Sequence, residues 1–308
     1  MPKPCLIVFS ALRSGTTMLR LMLDSHPRVA CTGEHDFLFD FLAEGPEGWT
    51  YDRAAMKGDR IFRYSGLALR DDLEGEALLA DLIRQICEKG QGKPVLMLHR
   101  NLDRAVRLLP EVPILHMLRD PRDVARSAVG MIWADHVYFG VNSWLRTETE
   151  WEALGSTLEH RTLTIHYELL VAQPRDTLAS ICAHVGIDFD AQMLTYDRQS
   201  TYAPPDPSLA EQWRRKLRPV EVRLVEGKVG PLLVARGYKP SGEPPLTPSS
   251  LHILWLRIRN RTGVWRRRAA IYGWRPMLKR RLGMTFGLPV MRQAAEREME
   301  AITLKRLK

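Results

Sequence analysis

Two short stretches of this sequence combine arginine, hydroxyl and glycine residues at a spacing that suits an anion site. The first is Arg13-Ser14-Gly15-Thr16-Thr17. Glycine lets the backbone approach an anion closely, hydroxyls donate hydrogen bonds, and arginine supplies a forked cation. The second stretch runs from Arg119 to Ser127, eight residues on and about two helical turns along. Arg119 and Ser127 can therefore grip one phosphate between them.

Each stretch follows a short apolar run that predicts a buried strand. Residues 6–9 read Leu-Ile-Val-Phe, residues 114–118 read Ile-Leu-His-Met-Leu, and each run leads through a turn into a helical pattern. Asp120 and Pro121 suit the cap and the first position of the second helix. Because a helix N-terminus presents unpaired amides and a positive dipole end, this layout predicts an anion cradle. For the first loop alone, an ordinary hydroxyl-rich turn is the alternative.

The first loop matches the nucleotide P-loop, G-x-x-x-x-G-K-[ST], only in part. Gly15 and Thr17 match its second glycine and its final hydroxyl residue. Ser10 replaces the first glycine, and Thr16 replaces the lysine that contacts the β- and γ-phosphates. We therefore expect this loop to hold an anion, but not a magnesium-bound triphosphate.

Together, the two motifs resemble those of the sulfotransferases that use PAPS (3′-phosphoadenosine 5′-phosphosulfate). Residues 10–17 are similar to the 5′-phosphosulfate loop of that family, and residues 119–127 are similar to its 3′-phosphate motif. The motifs occur in the family's order, roughly a hundred residues apart, and the likeness covers about residues 4–240. Arg13 resembles the tyrosylprotein and bacterial branches, because the cytosolic branch carries lysine at this place.

The resemblance implies PAPS as the sulfate donor, PAP as the product, and a role for each motif. The 5′-phosphosulfate would be bound by the first loop, through Arg13, Ser14, Gly15, Thr16 and Thr17. The 3′-phosphate would be bound by Arg119 and Ser127. Arg13 and the loop amides would also stabilise the charge that grows during transfer. No metal is expected, because the leaving group is a phosphate that cations already hold.

The resemblance also indicates a tyrosine near the cofactor, and this corresponds to Tyr167. The sequence places Tyr167 near the end of a strand over residues 161–168, where a half-buried strand aromatic is the alternative interpretation. Arg122 and Arg126 either contact the ligand or lie on the outside of their helix without contacting it. The family carries a basic residue beside a tryptophan in a closing loop; here the basic residues follow Trp213 instead of preceding it.

Transfer to a hydroxyl, or as a second choice to an amine, needs a base that takes the acceptor's proton. The tyrosylprotein branch has a similar D-x-H-P…G-E pattern, which maps the base onto Glu34, with the adjacent His35 as the second candidate. From the residues alone, Glu34 is equally a solvated carboxylate beside a helix over residues 36–43. His99 and Arg100 end a strand over residues 94–98 at the edge where ligands bind, and packing is the favoured interpretation of His99.

The alternation of apolar runs with amphipathic segments predicts a P-loop-like three-layer αβα fold around a central, mostly parallel sheet. Parallel strands would place both anion loops at the same edge of that sheet. Further helices are expected over residues 76–89, 143–158 and 174–185. Residues 220–238 are expected to form a last helix and a terminal turn at Gly237-Tyr238. We divide the chain into a sulfotransferase domain, residues 1–243, and a basic helical extension rich in Trp and Arg, residues 244–308.

The charge is distributed unevenly between these two parts. Residues 244–308 hold 15 basic and 3 acidic residues, a net charge of +12, whereas the whole chain carries +9, so residues 1–243 carry about −3. A helix over residues 251–272 would place an apolar stripe between arginines, formed by Leu251, Leu254, Trp255, Ile258, Trp265, Ala269 and Tyr272. This pattern suits an anionic membrane surface. Packing on the core or a partner, dimerisation and polyanion binding are alternatives, with nucleic acid the least favoured.

The four cysteines are scattered without a C-x-x-C pair, which argues against a zinc site or a disulfide framework and suits a reducing compartment. We expect a cytoplasmic protein, peripheral on the inner face of a membrane. The acceptor, whether carbohydrate, lipid, glycolipid or peptide, and the oligomeric state cannot be read from the sequence. A P-loop-like kinase and a non-catalytic membrane or polyanion adaptor are the alternative functions.

Overall fold

A five-stranded parallel sheet forms the centre of residues 4–243, which we call the body. The computed structural model describes residues 4–307, except the side chains of residues 199 and 304–307. The strands are β1 (Leu6–Ser10), β2 (Val29–Ala30), β3 (Leu42–Gly45), β4 (Gly48–Tyr51), β5 (Lys93–Leu98), β6 (Ile114–Leu118) and β7 (Thr162–His166). The five-stranded sheet has the strand order β2-β5-β1-β6-β7, and strands β3 and β4 form a separate antiparallel hairpin.

Helices cover both faces of the sheet and continue into the extension. In chain order they are α1 (Thr16–Asp24), α2 (Phe37–Asp40), α3 (Arg53–Gly58), α4 (Arg60–Ser65), α5 (Gly75–Gly90), α6 (Leu102–Leu108), α7 (Pro121–Gly130), α8 (Val137–Gly140), α9 (Asn142–Leu158), α10 (Tyr167–Ala172), α11 (Pro174–His184), α12 (Trp213–Lys216), α13 (Pro219–Val229), α14 (Leu232–Ala235), α15 (Ser250–Tyr272), α16 (Trp274–Thr285) and α17 (Pro289–Leu307). Short 3₁₀ turns lie at Glu159–Arg161, Ala191–Leu194, Tyr196–Gln199 and Pro207–Leu209.

The central strand β1 shows why its sequence is apolar without interruption. Successive side chains of a strand point to opposite faces. Leu6 and Val8 belong to a cluster with residues of α1 and α11 on one face of the sheet. Ile7 and Phe9 belong to a second cluster with residues of α5 and α9 on the other face. Because both faces are covered, every position of β1 must be apolar or internally bonded. This architecture confirms the predicted three-layer fold.

Three predicted elements differ from the structure, two in where they end and one in its continuity. The helix expected over residues 36–43 stops at Asp40, because Leu42 pairs with Tyr51 in the hairpin and Gly48 turns it at a φ of 110°. The strand expected over residues 161–168 ends at His166, and Tyr167 begins α10. The last helix expected within residues 220–238 is interrupted between α13 and α14, where Gly230 adopts a positive φ of 58° before a proline.

One face of α15 attaches the extension to the body. Leu256 is buried in a cluster with Tyr138 and Leu224, and the side-chain Oδ1 of Asn260 accepts hydrogen bonds from the backbone amides of Asp135 and His136. Gly263 lies directly against Asp135, since a Cβ at residue 263 would come within 1.9 Å of an Asp135 carboxylate oxygen. Among the described residues, no helix combines the length and the apolar character that crossing a membrane requires.

Candidate active site

The two predicted anion motifs meet at the carboxyl edge of the sheet. Strands β1 and β6 are hydrogen-bonded neighbours, so the loops that follow them lie side by side. The Arg119 Nη1 donates to the backbone carbonyl of Arg13 at 3.2 Å, and the Arg13 Nε donates to the Ser127 Oγ at 3.0 Å. The structure therefore brings the two arginines and the serine into one cluster at the wall of one cleft.

The first loop turns through left-handed backbone at two positions. Arg13 has a φ of 75°, which is uncommon for a residue with a side chain, and Gly15 has a φ of 94°. The ring of Tyr167 fills the place where a Cβ of residue 15 would lie, at 2.3 Å. Helix α1 then begins at Thr16, and no side chain caps its first amides. Glycine is required here for both conformation and space, and the unpaired amides face the loop.

Four polar atoms around the cleft are buried without a hydrogen-bond partner in the described part of the chain. These are the Ser14 Oγ, the His99 Nε2, the Arg119 Nε and the Arg126 Nε, of which the Ser14 and Arg119 atoms belong to the predicted anion-binding residues. Buried polar atoms are nearly always paired, so an unpaired hydroxyl and an unpaired guanidinium nitrogen in one loop cluster fit the binding of an anion there. The other two nitrogens of Arg119 bond to the carbonyls of Arg13 and Leu209, which fixes the guanidinium in place.

Aromatic rings lie against both arginines of the cluster. Tyr167, now at the start of α10, is buried, and the Arg119 guanidinium carbon lies 4.0 Å from its ring centroid. The Arg13 guanidinium carbon lies 5.6 Å from the ring of Trp133, which follows α7 and is half exposed. Cation–π contacts of this kind hold a guanidinium without neutralising it. Sequence reasoning missed Trp133, because it lies in a turn between helices and belongs to no motif.

Glu34 lies in the same cleft as the arginines and faces His99. Its Oε1 is 3.8 Å from the His99 Nε2, a distance too long for a hydrogen bond but suited to an ion pair. The His99 Nδ1 lies 2.7 Å from the Ser10 carbonyl. Because a carbonyl oxygen can only accept a hydrogen bond, the His99 Nδ1 must carry a proton. The other ring nitrogen of His99, Nε2, faces Glu34.

The pKa values of this pair move in opposite directions. The facing imidazole of His99 lowers the pKa of Glu34, against the effect of partial burial. Burial alone would lower the pKa of His99, but the Glu34 and Asp36 carboxylates outweigh it, and the pKa of His99 is raised. Both shifts favour a carboxylate beside an imidazolium.

Charged side chains from neighbouring elements hold His99 in place. The Asp36 Oδ1 accepts from the backbone N–H of His99 at 2.8 Å, and Arg100 lies 3.5 Å from the other oxygen of Asp36 while also pairing with Asp40. The interpretation of His99 as a packing residue is therefore incomplete, because its buried ring also faces the predicted base. Arg100 and Asp36 both line the cleft.

The second candidate base, His35, is enclosed by protein atoms. Its ring is buried, and its Nδ1 accepts from the Met97 backbone N–H at 3.2 Å. Its Nε2 lies 3.5 Å from the Thr32 hydroxyl. Burial lowers the pKa of His35 to about 4, so the ring is neutral at physiological pH. His35 does not line the cleft that contains the arginine cluster, but it lines a smaller cavity of about 270 Å³ together with Glu34.

Arg122 and Arg126, adjacent on the same helix, have different environments. Arg122 is buried, bonds to Asp120 and to Glu226 at 2.6 Å each, and stacks on Trp213 at 3.6 Å. It therefore ties α7 to α13 and does not reach the cleft. Arg126 lines the cleft and bonds to Gln212.

The basic residues after Trp213 bond locally. Arg214 pairs with Glu211 at 3.0 Å, and Arg215 donates to the carbonyl of Ser208 at 2.8 Å. Neither belongs to the cleft lining, whose wall in this region is formed instead by residues of the 201–212 loop. The cleft measures about 910 Å³, a volume that accommodates a nucleotide.

Comparison with known proteins agrees with this geometry. A family model described as "Sulfotransferase family" matches residues 4–191. Protein-tyrosine sulfotransferase 1 of Danio rerio is 22% identical, across 79% of this chain and 74% of that protein. Protein-tyrosine sulfotransferase 1 of Homo sapiens is 23% identical, across 79% of this chain and 71% of that protein.

Two solved structures have a similar fold. The sulfotransferase domain from the Synechococcus PCC 7002 olefin synthase has a TM-score of 0.58 at 25% identity, and covers 73% of this chain and 94% of its own. The sulfotransferase domain from the curacin biosynthetic pathway has a TM-score of 0.58 at 19% identity, and covers 78% of this chain and 99% of its own. Since the family match spans more than half of the sequence, the chain belongs to the sulfotransferase family and is a PAPS-dependent sulfotransferase, as its two motifs predicted.

Proposed function

We propose that this enzyme sulfates a hydroxyl group of its acceptor and that Glu34 is the base. When bound, PAPS supplies the sulfuryl group and a phosphate leaving group. The observation that carries the proposal is the position of Glu34, whose carboxylate lines the same cleft as the Arg13 and Arg119 cluster. A base and a group of cations that share one cleft can act on the two partners of a single transfer.

The residues of the cleft fit a ligand with phosphate groups at two ends. The unpaired Ser14 Oγ and Arg119 Nε are donors without acceptors, and Gly15 leaves room for the Tyr167 ring beside the uncapped first amides of α1. We assign the 5′-phosphosulfate to the first loop, the 3′-phosphate to Arg119 and Ser127, and the contact beside the nucleotide to Tyr167. The first-loop residues are Arg13, Ser14, Gly15, Thr16 and Thr17.

Glu34 is suited to take a proton at its carboxylate oxygen. The side chain is 43% exposed, so an acceptor can reach it. The lowered pKa keeps the group ionised at neutral pH, and His99 acts as a positioning residue on its far side. His35 is the weaker candidate, because both of its ring nitrogens already face protein atoms and the ring is buried.

Replacing the carboxylate while keeping its shape tests this assignment. We expect Glu34→Gln to bind PAP as the parent does, within about twofold by titration calorimetry, and to lose roughly a hundredfold or more in sulfate transfer. The assay follows labelled sulfate from PAPS into a host extract and identifies the product. Glu47→Gln, in the exposed turn of the hairpin, is the matched control and should be unchanged.

The possible outcomes test the assignment of the base and the assignment of the sulfate donor separately. Normal transfer by Glu34→Gln would remove Glu34 from the base role while leaving the donor assignment intact. Stabilisation of the parent by ATP with magnesium, but not by PAP alone, would instead contradict the donor site and favour a kinase.

A further inference from the structure

Exposed apolar side chains are concentrated in the extension. Of the 21 large apolar residues that are exposed in the described part of the chain, 13 lie within residues 251–291. These 41 positions therefore expose more apolar side chains than the whole of the body, which carries the fold and the cleft. A concentration of this size marks an interaction surface.

Helix α15 has two opposite faces. The face that contains Leu256, Asn260 and Gly263 packs on the body. At 3.6 residues per turn, the predicted apolar stripe falls on the other side of the helix. Five of its bulky members are exposed in the structure, among them Leu251 at 80% and Ile258 at 56%. Tyr272, at the end of the predicted stripe, is instead half-buried, and its hydroxyl lies 3.3 Å from the Thr303 hydroxyl. The exposed face, which we call the α15 stripe, consists of Leu251, Leu254, Trp255, Ile258 and Trp265.

Arginines border the α15 stripe on both sides. Arg257 and Arg261 follow one edge and Arg259 and Arg266 the other, and all four are exposed. Residues 244–295 contain eleven Lys or Arg and no acidic residue. Carboxylates from outside this stretch pair with Arg267, Lys279, Arg280 and Arg292, which are not among the four arginines that border the stripe. Arg259 also lies over the ring of Trp255 at 5.3 Å.

Helix α16 also combines exposed apolar side chains with exposed basic ones. Trp274, Leu278 and Leu282 recur at helical spacing and are all exposed, and Phe286 just after the helix is 67% exposed. The exposed cations Arg275, Lys279 and Arg281 alternate with them. The extension thus presents apolar and cationic side chains together along two successive helices.

We propose that the extension docks on an anionic lipid surface. The α15 stripe and the apolar residues of α16 would enter the interface between headgroups and acyl chains, and the bordering arginines would contact lipid phosphates. Charge favours this occupant. A second copy of the same face would bring the four bordering arginines of each copy together without an acidic residue on either face, and a soluble polyanion would leave the leucine and isoleucine side chains in water. The proposal is independent of the transfer reaction.

Vesicle co-sedimentation of the full chain tests the proposal. We expect binding to phosphatidylcholine vesicles that contain phosphatidylglycerol, weakening with salt, and little binding to phosphatidylcholine alone. Leu254→Asp with Ile258→Asp should reduce binding by roughly tenfold or more. Val220→Asp with Val234→Asp, on exposed body positions, is the matched control and should bind as the parent does. PAP binding by each variant verifies that it is folded.

A variant that lacks three of the bordering arginines tests the contribution of positive charge to vesicle binding. Replacing Arg257, Arg259 and Arg261 with glutamine should weaken binding to the anionic vesicles by roughly a hundredfold and flatten its salt dependence. If the parent fails to bind anionic vesicles, or the stripe variant binds as the parent does, the proposal is wrong. Conversion of a dimer to a monomer by the stripe variant, without vesicle binding by the parent, would identify a chain–chain interface instead. Tight binding to heparin with no affinity for vesicles would identify a polyanion site.

Discussion

Arginine occupies contrasting environments in the cleft and in the extension. In the cleft, Arg119 is buried, bonded to two carbonyls and stacked on Tyr167. In the extension, Arg257 and Arg261 are exposed on a helix that contains no acidic residue. A fixed guanidinium with one unpaired nitrogen can recognise a single phosphate at a defined place. Mobile exposed guanidiniums recognise a charged surface instead, and their effect depends on number and on salt.

The contrast predicts that removing one cleft arginine has a large effect. Arg13→Ala deletes a charge-assisted contact and the bond to Ser127, so we expect PAP affinity to fall by roughly a hundredfold and sulfate transfer to be lost. Arg261→Ala removes the same side chain from the extension and should leave PAP affinity unchanged. Calorimetric titration of both variants measures the difference. Equal affinities would show that Arg13 is not part of the nucleotide site.

Backbone geometry gives a second, smaller contrast. Gly15→Ala must adopt a left-handed φ and displace the Tyr167 ring, so we expect the free energy of unfolding to fall by about 2–5 kcal/mol and PAP binding to weaken. Gly242→Ala has a similar φ of 93° but open space around it. It should lose only about 1 kcal/mol. Denaturant titration measures both, and equal losses would mean that the ring of Tyr167 moves aside without cost.

The sequence contains enough local information to predict the parts of the site that are continuous in the chain. Asp120 caps α7 by accepting from the amide of Arg122, and Pro121 occupies the first turn, as their residue types predicted. The first loop was likewise recognisable from five adjacent residues. These features depend on hydrogen bonds and backbone preferences within a few residues, which a sequence pattern displays directly.

Contacts between distant segments could not be predicted in the same way. Glu34 faces His99 because β2 pairs with β5. The order of strands in a sheet cannot be inferred from the sequence of any single strand. Tyr167 covers Gly15 only because its strand ends where a helix begins. For the extension, the helical period predicted the apolar stripe, but its exposure depends on the opposite face, where Gly263 admits Asp135.

The pairing of Glu34 with His99 gives the most subtle prediction, since it concerns a pH limb and not the loss of a site. His99→Asn keeps a donor for the Ser10 carbonyl but removes the ring nitrogen that faces Glu34. Because His99 lowers the pKa of Glu34, its removal should raise that pKa. Glu34 must be ionised to act as a base, so the acidic limb of the profile of kcat against pH should move to higher pH in His99→Asn. The affinity for PAP should stay unchanged. His160→Asn, at an exposed turn, should leave the profile in place. A limb that does not move in His99→Asn would mean that the group titrating in kcat is not Glu34, or that His99 has no electrostatic influence on it.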